Sequence, residues 1–104
     1  MQDLKVTLVQ ANQKWEDKAA NFENYTRLLK DVETDLIVLP EMFQTGFSMN
    51  TGELAEDENS SESIQWLKNL AAEKNAAVYT SLMIKSDDKV YNRGIFVQPD
   101  QSLT

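Results

Sequence analysis

Leu36-Ile37-Val38-Leu39-Pro40-Glu41 is the stretch on which the fold turns. Four apolar residues without alternation are too short a run for a helix and suit a strand covered on both faces. Pro40 has no amide proton for a ladder, so the strand stops there. Glu41 follows directly, at the carboxyl end of the strand, where open α/β sheets gather their ligands. Position alone also fits an ordinary solvated carboxylate at a strand end. Met42 and Phe43 add apolar neighbours. A carboxylate between such groups is expected to be poorly solvated, which disfavours its charged form and makes it a candidate general base or acid.

Working outward, Leu4 to Gln10 alternates apolar and polar before turning apolar at Val9, and reads as a first strand. Trp15, Ala19, Phe22, Thr26, Leu29 and Val32 recur at steps of three and four, the stripe of an amphipathic helix with Asp17 as its N-cap. Residues 42–60 read as loop, and the acidic tract Glu53 to Glu58 as a solvated surface segment rather than a metal site. Asn59 with Glu62 resembles a capping box. Ile64, Leu67, Leu70 and Ala71 then form the buried stripe of a second helix closed near Asn75. Ala77 to Ile84 and Val90 to Val97 are strands joined by a turn at Ser86-Asp87-Asp88. Lys85 and Lys89 belong to that turn as solubilising residues. The order β-α-β-α-β-β gives parallel or mixed pairing for the first three strands and a hairpin for the last two, an α/β fold in one domain spanning 1–104.

Composition narrows the function. The 104 residues carry a net charge of −7, which repels phosphate backbones and anionic membranes, so nucleic acid and membrane are poor partners. Neither a secretory signal nor an apolar run of roughly 20 residues is visible, and a cytoplasmic protein is the expectation. Cysteine and histidine are both absent. Disulfides, thiolate metal sites, cysteine nucleophiles and serine–histidine relays are therefore excluded within the chain, and no metal or cofactor is expected. Carboxylates, lysines and tyrosines are left for acid–base work.

The string Leu36 to Phe43 followed by Thr45-Gly46-Phe47-Ser48-Met49 resembles the glutamate motif of the carbon–nitrogen hydrolases, the nitrilase-superfamily amidases. Val6 to Asn12 looks like their first strand, and Tyr91-Asn92-Arg93 with Ile95-Phe96-Val97 and Pro99-Asp100 is similar to their paired-strand segment. Each motif is moderately specific; three in the right order are much stronger. Within the family, Met42-Phe43 and residues 45–49 resemble the omega-amidase type, which cleaves the terminal amide of 2-oxo dicarboxylic acid monoamides.

The resemblance implies the front part of a four-layer α-β-β-α sandwich and a glutamate–lysine–cysteine mechanism. A thiolate attacks the amide, the glutamate moves protons, and the lysine stabilises the oxyanion. Only the glutamate maps here, onto Glu41. The family's lysine and cysteine lie beyond the segment matching Pro99-Asp100, so the chain reads as a fragment without amidase activity of its own. Phe43 and Phe47 are implied as residues lining the pocket for a small amide substrate, although packing explains them as well. Asn92 matches the family's asparagine, with backbone bracing as its expected role. Trp15 and Trp66 read as packing residues. Half a sandwich leaves a sheet face and strand edges uncovered, so self-association, as a homo-oligomer or otherwise, is expected.

Two other readings compete. A metal-dependent phosphodiesterase of the endonuclease–exonuclease–phosphatase type would use Asn12 and Glu41 as magnesium ligands. The −7 charge, the lack of histidine and the Pro-Glu-Met context oppose it. A noncatalytic α/β module of flavodoxin-like or receiver-like form would need a glycine-rich phosphate loop or clustered aspartates, and the three glycines form no such pattern.

Overall fold

The structure, a computed structural model, describes residues 3–11, 13–46 and 54–103. Its elements are β1 (Val6–Leu8), α1 (Lys18–Leu29), β2 (Leu36–Val38), β3 (Glu56–Asp57), α2 (Glu62–Lys74), β4 (Ala77–Ser86) and β5 (Lys89–Val97). The α/β order matches the expectation except for β3, a two-residue strand in the stretch read as loop. β1 pairs parallel with β2, and β2 parallel with the first half of β4. β3 joins the far end of β4 in parallel through Glu56 and Ile84. β5 runs antiparallel along the whole of β4. Asp87 and Asp88 turn that hairpin with φ of 51° and 64°, the left-handed pair that a two-residue type I′ loop requires.

Local chemistry sets the helix ends. The Asp17 carboxylate accepts from the Ala20 amide at 3.0 Å and opens α1. Asn75, left-handed at φ 48°, closes α2. The N-cap of α2 is Ser61, whose hydroxyl accepts from the Ile64 amide, and not Asn59. Asn59 instead belongs to a turn closed on the Asp57 carboxylate. The Lys74 ammonium reaches back from α2 to cap the end of α1, donating to the carbonyls of Leu29, Lys30 and Val32.

Both helices cover the same face of the sheet. One core contains Tyr25 and Leu29 of α1, Leu67, Leu70 and Ala71 of α2, and Ile37, Val78, Leu82, Ile84, Ile95 and Val97 of the strands. The inward face of α1 is Asn21, Phe22, Tyr25 and Leu29, one step round from the expected stripe; Trp15, Ala19 and Thr26 are exposed. Asn21 and Tyr25 are drawn inward because they hydrogen-bond the backbone beneath them. β2 is not covered on both sides: Ile37 is fully buried, whereas Leu36 and Val38 on the opposite face are only half-buried. That face continues outward through Val6 and Leu8, which lie in register with Leu36 and Val38 and are exposed.

Candidate active site

Pro40 ends β2, and residues 41–45 form a turn at the carboxyl edge of the sheet. Met42 adopts a left-handed backbone at φ 49°, an unusual state for a non-glycine residue that persists where the surroundings hold it. Those surroundings are specific. The Met42 amide donates to the Ser81 hydroxyl at 3.0 Å, and the Thr80 hydroxyl donates to the Pro40 carbonyl at 2.9 Å. Tyr25 donates to the Phe43 carbonyl at 2.8 Å, and Asn21 to the Gln44 carbonyl at 2.8 Å. Gly46, left-handed at φ 73°, returns its amide to the Met42 carbonyl at 2.9 Å. Side chains from α1 and β4 thus clamp the backbone of one turn. Burial pushes the Tyr25 phenol above its ordinary pKa, partly offset by a hydrogen bond from Gln13, so it remains a proton donor to Phe43.

Around this turn the side chains separate. Met42 packs into a small core with Leu54 and Met83. Phe43 is fully buried against Phe22, Tyr25 and Trp66, with ring centroids 5.8, 5.8 and 5.6 Å away. Its ring belongs to the core between the helices. Phe47 lies outside the described residues, as does Asn12. Trp66 packs as expected, stacked on Phe22 at 5.2 Å. Trp15 is mostly exposed, beside Gly46.

Glu41 is left at the mouth of the turn. Its side chain is exposed rather than enclosed by apolar groups, because Met42 and Phe43 both turn inward. Yet it does not swing freely. The Asn92 side-chain amide donates to Glu41 Oε1 at 2.7 Å, across 51 residues of sequence. Asn92 therefore holds a carboxylate, not the backbone it was expected to brace. Beside the carboxylate lies a cleft of about 250 Å³ lined by Leu39, Tyr79, Thr80 and Ser81. An oriented carboxylate with one oxygen engaged and hydroxyls close by can move protons on a small polar molecule.

A second polar cluster was missed in the sequence. Glu56, read as part of a solvated tract, is buried and paired with Lys18 at 2.8 Å. Ser61 and Ser63 donate to its two oxygens at 2.5 Å each, and the Ser63 amide adds a bond at 2.9 Å. Burial pushes this carboxyl up, but the bonds from Lys18, Ser61 and Ser63 together outweigh burial and hold it below the ordinary carboxylate range. Asp57 and Glu58 of the same tract are exposed, as expected. Lys85 and Lys89 are exposed too, but flank the turn as strand residues. Among the described residues no helix is long and apolar enough to cross a membrane.

Known proteins resemble this chain in sequence and fold. The omega-amidase YafV of Yersinia enterocolitica is 39% identical over 104 residues, which cover 99% of this chain and 40% of that protein. The omega-amidase YafV of Escherichia coli is 34% identical over 102 residues, covering 95% of this chain and 38% of its own length. The crystal structure of a carbon–nitrogen hydrolase superfamily protein from Xanthomonas campestris superposes with a TM-score of 0.91 at 35% identity, over 100% of this chain and 40% of the other. An N-terminal amidase shares the fold at a TM-score of 0.87 and 19% identity, over 97% of this chain and 26% of that one. The chain thus spans about two-fifths of the length of the curated relatives it matches. The carbon–nitrogen hydrolase family model matches residues 5–104: the chain belongs to the carbon–nitrogen hydrolase family.

Proposed function

We propose that these residues supply the general base of an omega-amidase-type reaction, with Glu41 as the proton carrier and the terminal amide of a small 2-oxo dicarboxylic acid monoamide as substrate. The observation that carries this reading is the placement of the Glu41 carboxylate: at the carboxyl end of β2, on a turn clamped by side chains, with one oxygen held by Asn92. In the proposed cycle Glu41 takes the proton of a thiol as its sulfur attacks the amide carbon. It passes that proton to the departing nitrogen, which leaves as ammonia. The thioester is then cleaved by water, whose proton Glu41 accepts and returns to the sulfur as the acid departs. The chain has no cysteine, so the thiol belongs to polypeptide outside these 104 residues, and so, in this reading, does the lysine. The half-open apolar face carrying Leu8, Val38 and Tyr79 supports the further proposal that a second sheet lies over it, as in a four-layer sandwich.

The test is a chimera in which this chain replaces the matching segment of the Yersinia enterocolitica omega-amidase, assayed for ammonia release from a 2-oxo dicarboxylic acid monoamide. The chimera should turn over, and Glu41→Gln should reduce kcat by about 10²–10⁴-fold while circular dichroism stays unchanged. Full turnover in folded Glu41→Gln would overturn the assignment. The 104-residue chain by itself should release no ammonia.

A further inference from the structure

We infer that Asn92 is a positioning residue for Glu41: by donating to Oε1 it fixes the carboxylate rotamer and leaves Oε2 as the oxygen that exchanges protons. The inference rests on the general-base reading of Glu41 and deepens it. Asn92 lies on β5 opposite Met83 of β4, and Met83 packs against Met42. The hairpin ladder therefore fixes the Asn92 backbone, and the clamped turn fixes the Glu41 backbone. Two side chains launched from rigid supports meet at 2.7 Å. An ionised carboxylate only accepts, which orients the amide with Nδ2 towards it.

The chemistry of the amide suits this task. A lysine or arginine in its place would add a counter-charge and favour the charged carboxylate, weakening it as a base. An aspartate would repel Glu41. A neutral amide supplies one directional bond, cannot take the proton itself, and leaves the second oxygen of Glu41 available. Both residues are exposed, and a hydrogen bond between exposed side chains adds little to stability, since water replaces either partner. The pair therefore adds little to the stability of the fold.

The experiment begins with the chain itself. In ¹⁵N-resolved spectra, the side-chain amide resonance of Asn92 should follow a carboxylate titration, and that dependence should vanish in Glu41→Gln. An Asn92 resonance indifferent to pH through the carboxylate range, or unchanged by Glu41→Gln, overturns the contact and the inference with it. In the chimera, Asn92→Ala should lower kcat by about 10- to 100-fold with KM nearly unchanged. Asn92→Asp should be at least as damaging as Asn92→Ala despite its closer shape. A purely structural asparagine would show the opposite order, with kcat and KM not separated in this way, which would overturn positioning even with the contact intact. Retained turnover in Glu41→Gln would strike the base reading separately, because the resonance experiment reports the contact without reference to catalysis.

Discussion

The Lys18 ammonium, on the first residue of α1, lies 2.8 Å from Glu56 Oε2 on β3, and the serines opening α2 close over the same carboxylate. Three elements, α1 far upstream of the other two, are tied at one buried charge. The pair stabilises this junction because its carboxylate is fully hydrogen-bonded; an incomplete set would leave a desolvated charge at a net cost.

Glu56 gives the fold a defined acid sensitivity. Its carboxyl is held lower in the folded chain than in the unfolded one, so its contribution is full above the unfolded pKa and fades as pH falls through the folded value. Glu56→Gln should cost about 1–3 kcal/mol at neutral pH, less than a fully buried pair because Lys18 remains partly hydrated. Urea unfolding of both proteins should show this difference shrinking towards acid. A difference constant from neutral pH to pH 3 would refute it.

Asn21 and Tyr25 connect α1 to the turn that carries Glu41. The Asn21 side chain accepts from the Lys14 amide at 2.7 Å and donates to the carbonyls of Lys14 and Gln44, both at 2.8 Å. Asn21→Leu leaves a buried carbonyl without its donor and should cost about 2–4 kcal/mol; Tyr25→Phe should cost about 1–2 kcal/mol. Hydrogen exchange separates a local effect from a global one. In Tyr25→Phe the Thr45 and Gly46 amides, bonded to the Met42 carbonyl, should exchange faster than those in the middle of β4. Equal acceleration everywhere would deny the turn a separate brace.

What the sequence revealed was mostly what short-range chemistry decides. Asp17, Pro40, Asn75 and the Asp87-Asp88 pair act on their own neighbours, so the ends of α1, β2, α2 and the hairpin were legible. Ser61 was passed over because Asn59 offers the same capping chemistry two residues earlier, and only the position of β3 chooses between them. Glu56 resembled its exposed acidic neighbours because its burial depends on Lys18, far upstream. Phe43 and Glu41 differ by two positions, yet the sheet face on which the helices lie sends one ring into the core and leaves one carboxylate at the rim. Asn92 carried the family's signal, but its partner could not be known without the register of β4 against β5.

Gly94 stands opposite Ser81 on that same pair of strands, and the Tyr79 ring reaches diagonally across to it. A Cβ at Gly94 would come within 2.8 Å of the Tyr79 hydroxyl oxygen but 3.5 Å from the ring carbon bearing it. The conflict is with the oxygen alone. Gly94→Ala should therefore destabilise the hairpin or displace the ring in the wild-type background, at about 1 kcal/mol, and be neutral or slightly stabilising in Tyr79→Phe, since glycine disfavours strand interiors. A double-mutant cycle with no coupling between the two sites would reject this contact as the reason for glycine.

The sheet face opposite the helices should govern association of the isolated chain. Leu4 and Leu8 are 69% and 72% exposed, and Val6 and Tyr79 are 47% and 45% exposed. The parallel register places Val6 with Leu36 and Leu8 with Val38 and Tyr79 on one surface. A contiguous apolar surface of this kind, next to the outer edge of β1, which pairs with no strand among the described residues, favours contact with another surface over contact with water. The 104-residue chain should therefore migrate as a concentration-dependent oligomer in sedimentation velocity and bind a hydrophobic dye. Leu8→Lys, at the most exposed of these positions, should shift it towards monomer without loss of helical signal, because the side chain it replaces contributes nothing to the core beneath the helices. A wild-type chain that stays monomeric at high micromolar concentration, with no dye binding, would show that this face tolerates water.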